Sequence, residues 1–273
     1  MIFDETKCQL GEGPLWHPLR NTLFWFDILS KQLRCKDRHW QFDEYVSAAG
    51  WVDEDTLLIA SANALSRFSI STGKAEEVCP LEADNPVTRS NDGRADPKGG
   101  FWIGTMGIDA EHGAGAIYRY YKGELRQLFA PITISNAICF APDGKTAYFT
   151  DTPTQMIMRV PLDEDGWPAG EPSLHIDLRG TEFRPDGAVV DAAGNLWNAQ
   201  WGVGRVAVYD PGGDFIESFS FAGKQTSCPA FGGDGLSTLF CTSAAVGLDG
   251  ADQGKTFTTP TSYTGQKEHR VQL

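Results

Sequence analysis

The sequence predicts an all-β protein built as a six-bladed β-propeller with a central channel. Three observations carry this prediction: 30 glycines and 15 prolines punctuate 273 residues, long helical patterns are absent, and a strand pattern recurs about every 45 residues. Repeats of roughly 40 to 50 residues with several strands each are typical of propellers. A sandwich would not show this period, and a parallel α/β sheet would need crossover helices.

Six apolar strands mark the repeats, and five of them follow a turn rich in glycine, aspartate or asparagine. In chain order they are TLFWFDI (22–28), TLLIAS (56–61), GFWIGT (100–105), TAYFTD (146–151), NLWNAQ (195–200) and TLFCTS (238–243). Six repeats fill the chain without a linker, so residues 1–273 are expected to form a single propeller domain. We expect the segment from His269 to Leu273 to pair with the first blade, because ring closure removes exposed strand edges.

The charge balance excludes several classes of partner. The formal net charge is -13, which opposes binding to nucleic acid or to an anionic membrane surface. No apolar run approaches the roughly 20 residues of a membrane helix, and the first residues do not read as a signal peptide. A cytoplasmic location is therefore expected, and nothing in the sequence implies an obligate protein partner.

The cysteines and histidines are scattered. Six cysteines occur without a CxxC pair, and five histidines occur without a paired-histidine pattern. The cysteines are therefore expected to be reduced and mostly buried. A zinc site of cysteine or histidine ligands is disfavoured.

Four polar residues stand at a similar place in four of the repeats. Glu12, Asn91, Asn136 and Asp186 each precede an aromatic residue of the recurring strand by about 11 to 13 positions. Equivalent positions of different blades lie on one ring around the axis, so these side chains are expected to converge in the channel. Each alone is an ordinary turn former, but two carboxylates at one point repel unless a cation or proton lies between them. Oxygen ligands suit Ca²⁺, Mg²⁺ or Mn²⁺, and Zn²⁺ also accepts carboxylates.

An ordered set of short motifs covers nearly the whole chain. The motifs are GEGPLW (11–16), RSNDG (89–93), FWIGTM (101–106), ISN (134–136), APDGK (141–145), PDG (185–187) and CPAFGG (228–233). In this order they resemble the senescence-marker-protein, gluconolactonase and luciferin-regenerating-enzyme family, also called regucalcin-like. The loop 107–116 and the segment after Leu248 match the family poorly, so their roles are left open.

The resemblance implies one divalent cation in the channel, with Ca²⁺ and Zn²⁺ foremost and Mn²⁺, Mg²⁺ and Fe²⁺ also possible. It implies Glu12, Asn136 and Asp186 as direct ligands, Asn91 as a neighbour reaching water or substrate, and Arg89 as a substrate-binding residue. Members of the family hydrolyse lactones, commonly those of aldonic sugars. The expected partner is therefore a small sugar lactone, and the expected activity is that of a metal-dependent, gluconolactonase-like hydrolase.

A mechanism follows from this ligand set. A carboxylate already beside the attacking water can accept its proton, so Asp186 is expected to act as the general base. Met106 and Arg184 complete the expected substrate-binding group, with a lid position for Met106 and a surface position for Arg184 as alternatives. Two other functions share the same site: calcium binding without catalysis, and a phosphotriesterase-like hydrolysis.

Overall fold

The computed structural model describes residues 1–273 and consists almost entirely of strands. The chain begins with β1 (Ile2–Asp4). Blade 1 consists of β2 (Gly11–His17), β3 (Thr22–Asp27), β4 (Gln32–Cys35) and β5 (Arg38–Gln41). Blade 2 consists of β6 (Val46–Trp51), β7 (Thr56–Ser61), β8 (Ala64–Ser69) and β9 (Ala75–Pro80). Blade 3 consists of β10 (Thr88–Ala95), β11 (Phe101–Gly107), β12 (Gly115–Tyr121) and β13 (Glu124–Ile132). Blade 4 consists of β14 (Ser135–Phe140), β15 (Thr146–Asp151), β16 (Met156–Pro161) and β17 (Ser173–Asp177). Blade 5 consists of β18 (Arg184–Val190), β19 (Leu196–Trp201), β20 (Arg205–Tyr209) and β21 (Phe215–Ser220). Blade 6 consists of β22 (Gln225–Gly232), β23 (Thr238–Ala244), β24 (Thr256–Pro260) and β1. Single 3₁₀ turns occur at Thr152–Thr154 and Asp234–Leu236.

The arrangement of these sheets confirms the six-bladed propeller. Each of the six strands recognised in the sequence is the second strand of its blade: β3, β7, β11, β15, β19 and β23. The first strand of every blade contacts the first strands of both neighbouring blades, and these contacts close a ring. The six first strands are therefore the innermost ones, and they surround the channel. Neither 3₁₀ turn is long or apolar enough to cross a lipid bilayer.

A separate apolar cluster fills each interface between neighbouring blades. Trp25 packs between blades 6 and 1, Trp102 between blades 3 and 4, and Trp197 between blades 5 and 6. Burial of one large apolar side chain stabilises by about 1.5–3 kcal/mol, so these interfaces hold the ring together. All six cysteines are free, and four of them are buried.

The N-terminal strand closes the ring, whereas the sequence led us to expect the C-terminal segment to do so. β1, near the N-terminus, pairs antiparallel with β24 and completes blade 6. Phe3 of β1 packs edge-on against Phe240 of the same blade and Trp25 of blade 1. The prediction that His269 to Leu273 close the ring is wrong, because β1 already occupies the free edge of β24.

The C-terminal segment instead crosses the channel at the far ends of the innermost strands. The side-chain amide of Gln266 donates hydrogen bonds to the carbonyl oxygens of Phe140 and Val190, at 3.0 and 2.8 Å. Further along, Val271 N–H donates to the carbonyl oxygen of Trp51 at 2.9 Å. The segment therefore covers one mouth of the channel and leaves the other mouth, at the starts of the same strands, accessible.

Candidate active site

The starts of the innermost strands surround a cavity of about 350 Å³. Because neighbouring strands run antiparallel, the ends of the second strands reach the same rim. Six of the residues singled out in the sequence line this cavity: Glu12, Arg89, Asn91, Met106, Asn136 and Asp186. Arg184 does not line it, because its side chain is exposed to solvent at the first position of β18.

A β-bulge at the same place in the innermost strands positions the polar side chains. In β18 the paired residues Pro185 and Ala188 leave Asp186 and Gly187 opposite a single residue of β19. The strands β2, β10 and β14 are interrupted in the same way. A bulge bends the strand and re-aims the side chains beside it, and bulges are over-represented next to active sites.

The four polar residues occupy two different positions at this bulge. Glu12 and Asn136 are the last paired residues before it, whereas Asn91 and Asp186 are the first residues inside it. The four positions are therefore similar, as the spacing of about 11 to 13 residues indicated, but they differ by one residue at the bulge. Adjacent residues of a regular strand point to opposite faces, so the bulge is what brings both positions to the same cavity.

The residue after Glu12 must be glycine. Gly13 has a φ of 52°, and a Cβ built on it would lie 2.2 Å from the carbonyl oxygen of Ser47. Its N–H donates to Oε2 of Glu12 at 3.1 Å. A side chain at position 13 would therefore push apart blades 1 and 2 and disturb the carboxylate of Glu12.

The orientation of the Asn136 amide is determined by its neighbours. Thr152 Oγ1 donates its proton to the carbonyl oxygen of Pro185 at 2.8 Å, so the same oxygen accepts from Asn136 Nδ2 at 2.9 Å. The amide nitrogen is thereby held on Thr152. The amide oxygen of Asn136 accepts a hydrogen bond from Asn91 Nδ2 at 3.3 Å, and both residues line the cavity.

Arg89 and Asn91 form a second fixed pair. Arg89 Nη1 donates to Asn91 Oδ1 at 2.9 Å and to the carbonyl oxygen of Ser90 at 2.8 Å, and Asn91 Nδ2 donates to the carbonyl oxygen of Ser135 at 2.9 Å. Nε and Nη2 of Arg89 make no hydrogen bond within the protein, so they are available to a ligand. Burial lowers the pKa of Arg89 to about 10, against the opposing negative charges of Glu12 and Asp186.

The buried carboxyl groups of Glu12 and Asp186 form no salt bridge. Burial, and then the negative charge of Asp92, raise the pKa of Glu12 to about 8, while the Gly13 N–H and Arg89 oppose this rise. Burial, followed by the charges of Glu12 and Asp92, raises the pKa of Asp186 well above its usual range. No side chain donates a hydrogen bond to the Asp186 carboxylate, and no cationic side chain is paired with either group.

A divalent cation fits this arrangement. Two carboxylates and one oriented amide oxygen form an all-oxygen donor set of the kind that hard cations prefer. Burying two like charges together is unfavourable unless an opposite charge neutralises them. The residues that could hold such an ion are Glu12, Asn136 and Asp186.

Asp92 has a supporting role, in line with its position beside Asn91. It is buried inside the bulge of β10, and its Oδ2 accepts a hydrogen bond from the Ile138 N–H at 2.7 Å. Burial raises the pKa of Asp92 to about 6. The contact with Ile138 ties blade 3 to blade 4 directly beneath the cavity.

Sequence reasoning missed the remaining walls of the cavity. They include Thr152, Trp201 and a set of apolar residues: Leu10, Leu29, Ile108, Ile134 and Val246. Several of these follow directly on the second strand of a blade, where an antiparallel partner brings them beside the start of the first strand. The position directly after the second strand of each repeat is therefore the sequence signal for these wall residues.

The fold and the site together define a class: a six-bladed propeller with a carboxylate and amide site at one mouth of its channel. Residues 10–245 match the model of the SMP-30/Gluconolactonase/LRE-like region, and the chain belongs to this family. It is 33% identical to the L-arabinolactonase of Azospirillum brasilense, over 98% of this chain and 94% of that protein. It is also 33% identical to the 6-deoxy-6-sulfogluconolactonase of Pseudomonas putida, over 86% of this chain and 83% of that protein.

A solved structure resembles the whole chain. It is that of regucalcin from Agrobacterium tumefaciens, which is described as a calcium-binding protein. The two share 42% sequence identity and superimpose with a TM-score of 0.96, covering 100% of this chain and 97% of that one.

Proposed function

We propose that this protein is a divalent-metal-dependent hydrolase that opens the lactone ring of a sugar aldonolactone to give the aldonic acid. The observation that carries the proposal is the buried pair Glu12 and Asp186, which no salt bridge neutralises, beside the oriented amide oxygen of Asn136. The lactonase names of relatives that cover most of the chain support the choice of substrate class.

Glu12, Asn136 and Asp186 would hold the cation, with Ca²⁺ or Zn²⁺ as the first candidates and Mn²⁺, Mg²⁺ or Fe²⁺ as further ones. Such an ion supplies Lewis-acid polarisation of the lactone carbonyl and lowers the pKa of a water molecule. Asn91 holds Arg89 in place, and the free Nε and Nη2 of Arg89 bind hydroxyl or ring oxygens of the sugar. Met106 packs against the bound ring as an apolar wall.

Asp186 acts as the general base. Its carboxylate takes a proton from the attacking water, whose oxygen forms a bond to the carbonyl carbon. The bond between this carbon and the ring oxygen then breaks, and the proton passes from Asp186 to the departing ring oxygen. One water is consumed, and the product is a hydroxy acid.

The proposal is tested by comparing two single-charge changes. Asp186→Asn should reduce lactone hydrolysis by at least about 10³-fold, because it removes both the base and a ligand charge. Asp109→Asn removes an exposed carboxylate that does not itself line the cavity, although its neighbours Ile108 and Ala110 do, and it should leave the rate unchanged. Near-normal hydrolysis of a panel of aldonolactones by folded Asp186→Asn protein would contradict the proposal.

Calcium binding without catalysis is a second candidate, favoured by the description of the Agrobacterium regucalcin structure. The two functions differ in what they require of Arg89. A binding site for a cation alone has no use for a buried guanidinium beside it, whereas a lactonase uses that group to orient substrate. Saturable Ca²⁺ binding with no hydrolysis of any aldonolactone would favour this second function.

The closure of blade 6 by β1 supports a further proposal, that residues 1–273 fold as one domain. The sheet that closes the ring combines strands from both ends of the chain. Cutting the chain between blades would therefore leave two pieces without a complete set of blade interfaces.

A further inference from the structure

The mouth of the active-site cavity is lined by exposed apolar side chains. Leu29, Ile108 and Val246 are 37%, 38% and 45% exposed, and all three line this cavity. They come from blades 1, 3 and 6, so they are far apart in sequence. None of them belongs to the clusters that hold the blades together. Apolar surface in water is unfavourable, and here it has no structural use.

Hydrogen bonds fix the backbone of two of these three residues, Val246 and Ile108. The side-chain amide of Gln225 donates to the carbonyl oxygen of Val246 and accepts from its N–H, both at 2.9 Å. The N–H of Ile108 donates to the carbonyl oxygen of Val87, also at 2.9 Å. The positions of Ile108 and Val246 at the mouth are therefore fixed by the fold.

The walls below the mouth are also apolar, and the polar groups lie at the floor. Leu10, Met106 and Ile134 form part of the walls. Among the wall residues Thr152 has a hydroxyl, but its proton is donated to Pro185 and its oxygen accepts from Asn136. Trp201, at the end of β19, adds an indole N–H to the lining. A sugar hydroxyl directed toward the apolar wall residues Leu10, Met106 and Ile134 would lose its water and gain no side-chain partner, which costs free energy.

We propose that the natural substrate is a lactone that bears an apolar group on the side remote from the ring carbonyl, such as the methyl group of a 6-deoxy sugar. This inference rests on the proposed lactonase function and narrows its substrate class. The carbonyl and nearby hydroxyls lie at the polar floor with Arg89 and Asn91. The remote apolar group lies among Leu29, Ile108 and Val246, which act as specificity-determining residues.

Matched pairs of lactones test the inference. Each pair shares its stereochemistry and differs only at carbon 6, as in L-galactono-1,4-lactone and 6-deoxy-L-galactono-1,4-lactone, with the mannono and glucono pairs alongside. Hydrolysis is followed with a pH indicator on protein loaded with Ca²⁺ or Zn²⁺. The 6-deoxy member should have a kcat/KM about 10-fold higher or more, because one group in an apolar pocket discriminates by about 10- to 200-fold.

Two rim variants and a control locate the effect. Ile108→Thr and Val246→Thr should each reduce the 6-deoxy preference severalfold, and both positions are exposed, so the fold should be retained. Ile216→Thr makes the same change on the outer strand β21, at a position 43% exposed, and should leave the preference unchanged. Equal or faster turnover of the 6-hydroxyl members would overturn this inference alone. Hydrolysis of no lactone in any pair would overturn the proposed function, and this inference with it.

Discussion

The hydroxyl of Thr152 holds the Asn136 amide in one orientation, so its removal is expected to weaken cation binding without removing a proposed ligand. Thr152→Val keeps the shape of the side chain and deletes two hydrogen bonds, of 2.9 Å to Asn136 and 2.8 Å to Pro185. Each contributes about 0.5–1.5 kcal/mol, so the free energy of unfolding should fall by about 1–3 kcal/mol.

The expected loss of cation affinity is similar in size to the loss of stability. Without Thr152 the Asn136 amide can rotate and present its NH₂ group, which repels a cation. Loss of a group that orients a metal ligand typically costs 10- to 100-fold in metal affinity. The dissociation constant for Ca²⁺ or Zn²⁺ should therefore rise by about 10- to 100-fold, equivalent to about 1.4–2.8 kcal/mol.

Calorimetric titration of metal-free protein measures this change. Thr154→Val is the matched control, because its hydroxyl lies in the same 3₁₀ turn and donates to the carbonyl oxygen of Asp151 at 2.7 Å. The same hydroxyl accepts a hydrogen bond from the Met156 N–H at 3.3 Å, and Thr154 is exposed. Thr154→Val should therefore reduce stability by no more than Thr152→Val does, and it should leave the metal affinity unchanged. Thr152→Ser should restore most of the lost affinity. An unchanged affinity in Thr152→Val would refute the reasoning about Asn136.

Three further outcomes are expected. Gly13→Ala should lower the free energy of unfolding by more than the backbone strain of about 1–2 kcal/mol, because its Cβ would lie 2.2 Å from the Ser47 carbonyl oxygen. Gly123 has a φ of 83° and open space around it, so Gly123→Ala should lower the free energy of unfolding, measured in urea, by the strain alone. In metal-free protein, the pKa of Glu12 is raised from its ordinary value of 4.5 to about 8. The stability that this group contributes is therefore full below its ordinary pKa and is lost as the pH rises through about 8. The melting temperature should fall between these two pH values, and saturating metal or Glu12→Gln should make the fall smaller. Arg89→Lys should lower kcat/KM by about 10- to 100-fold, which is the value of a charge-assisted hydrogen bond, and should leave the metal affinity unchanged. Equal losses of kcat/KM and of metal affinity would assign Arg89 to the metal site instead.

The blade architecture could be predicted because it is repeated. The second strand of each blade combines an apolar run with a preceding turn, and six copies of that pattern outweigh the ambiguity of any single one. Ring closure could not be predicted in the same way. β1 has three residues, Ile2 to Asp4, and a segment so short has no periodicity of its own. Its pairing with β24 depends on how the two ends of the folded chain meet.

The site could be predicted in part. Spacing within the repeats indicates Glu12, Asn91, Asn136 and Asp186, which do line one cavity. Spacing does not reveal the bulges, which two of these residues precede and the other two lie inside. Arg184 shows the limit of reasoning from proximity along the chain. It lies two residues before Asp186, yet its side chain is in solvent.

The most direct test of the central claim is a titration of lactonase activity against bound metal. Protein stripped of divalent ions is reloaded stepwise with Ca²⁺ or Zn²⁺, and hydrolysis of an aldonolactone is measured at each step. The proposed site predicts an inactive stripped protein whose activity rises linearly and reaches its plateau at one ion per chain. Full activity in the stripped protein would contradict the proposed role of Glu12, Asn136 and Asp186.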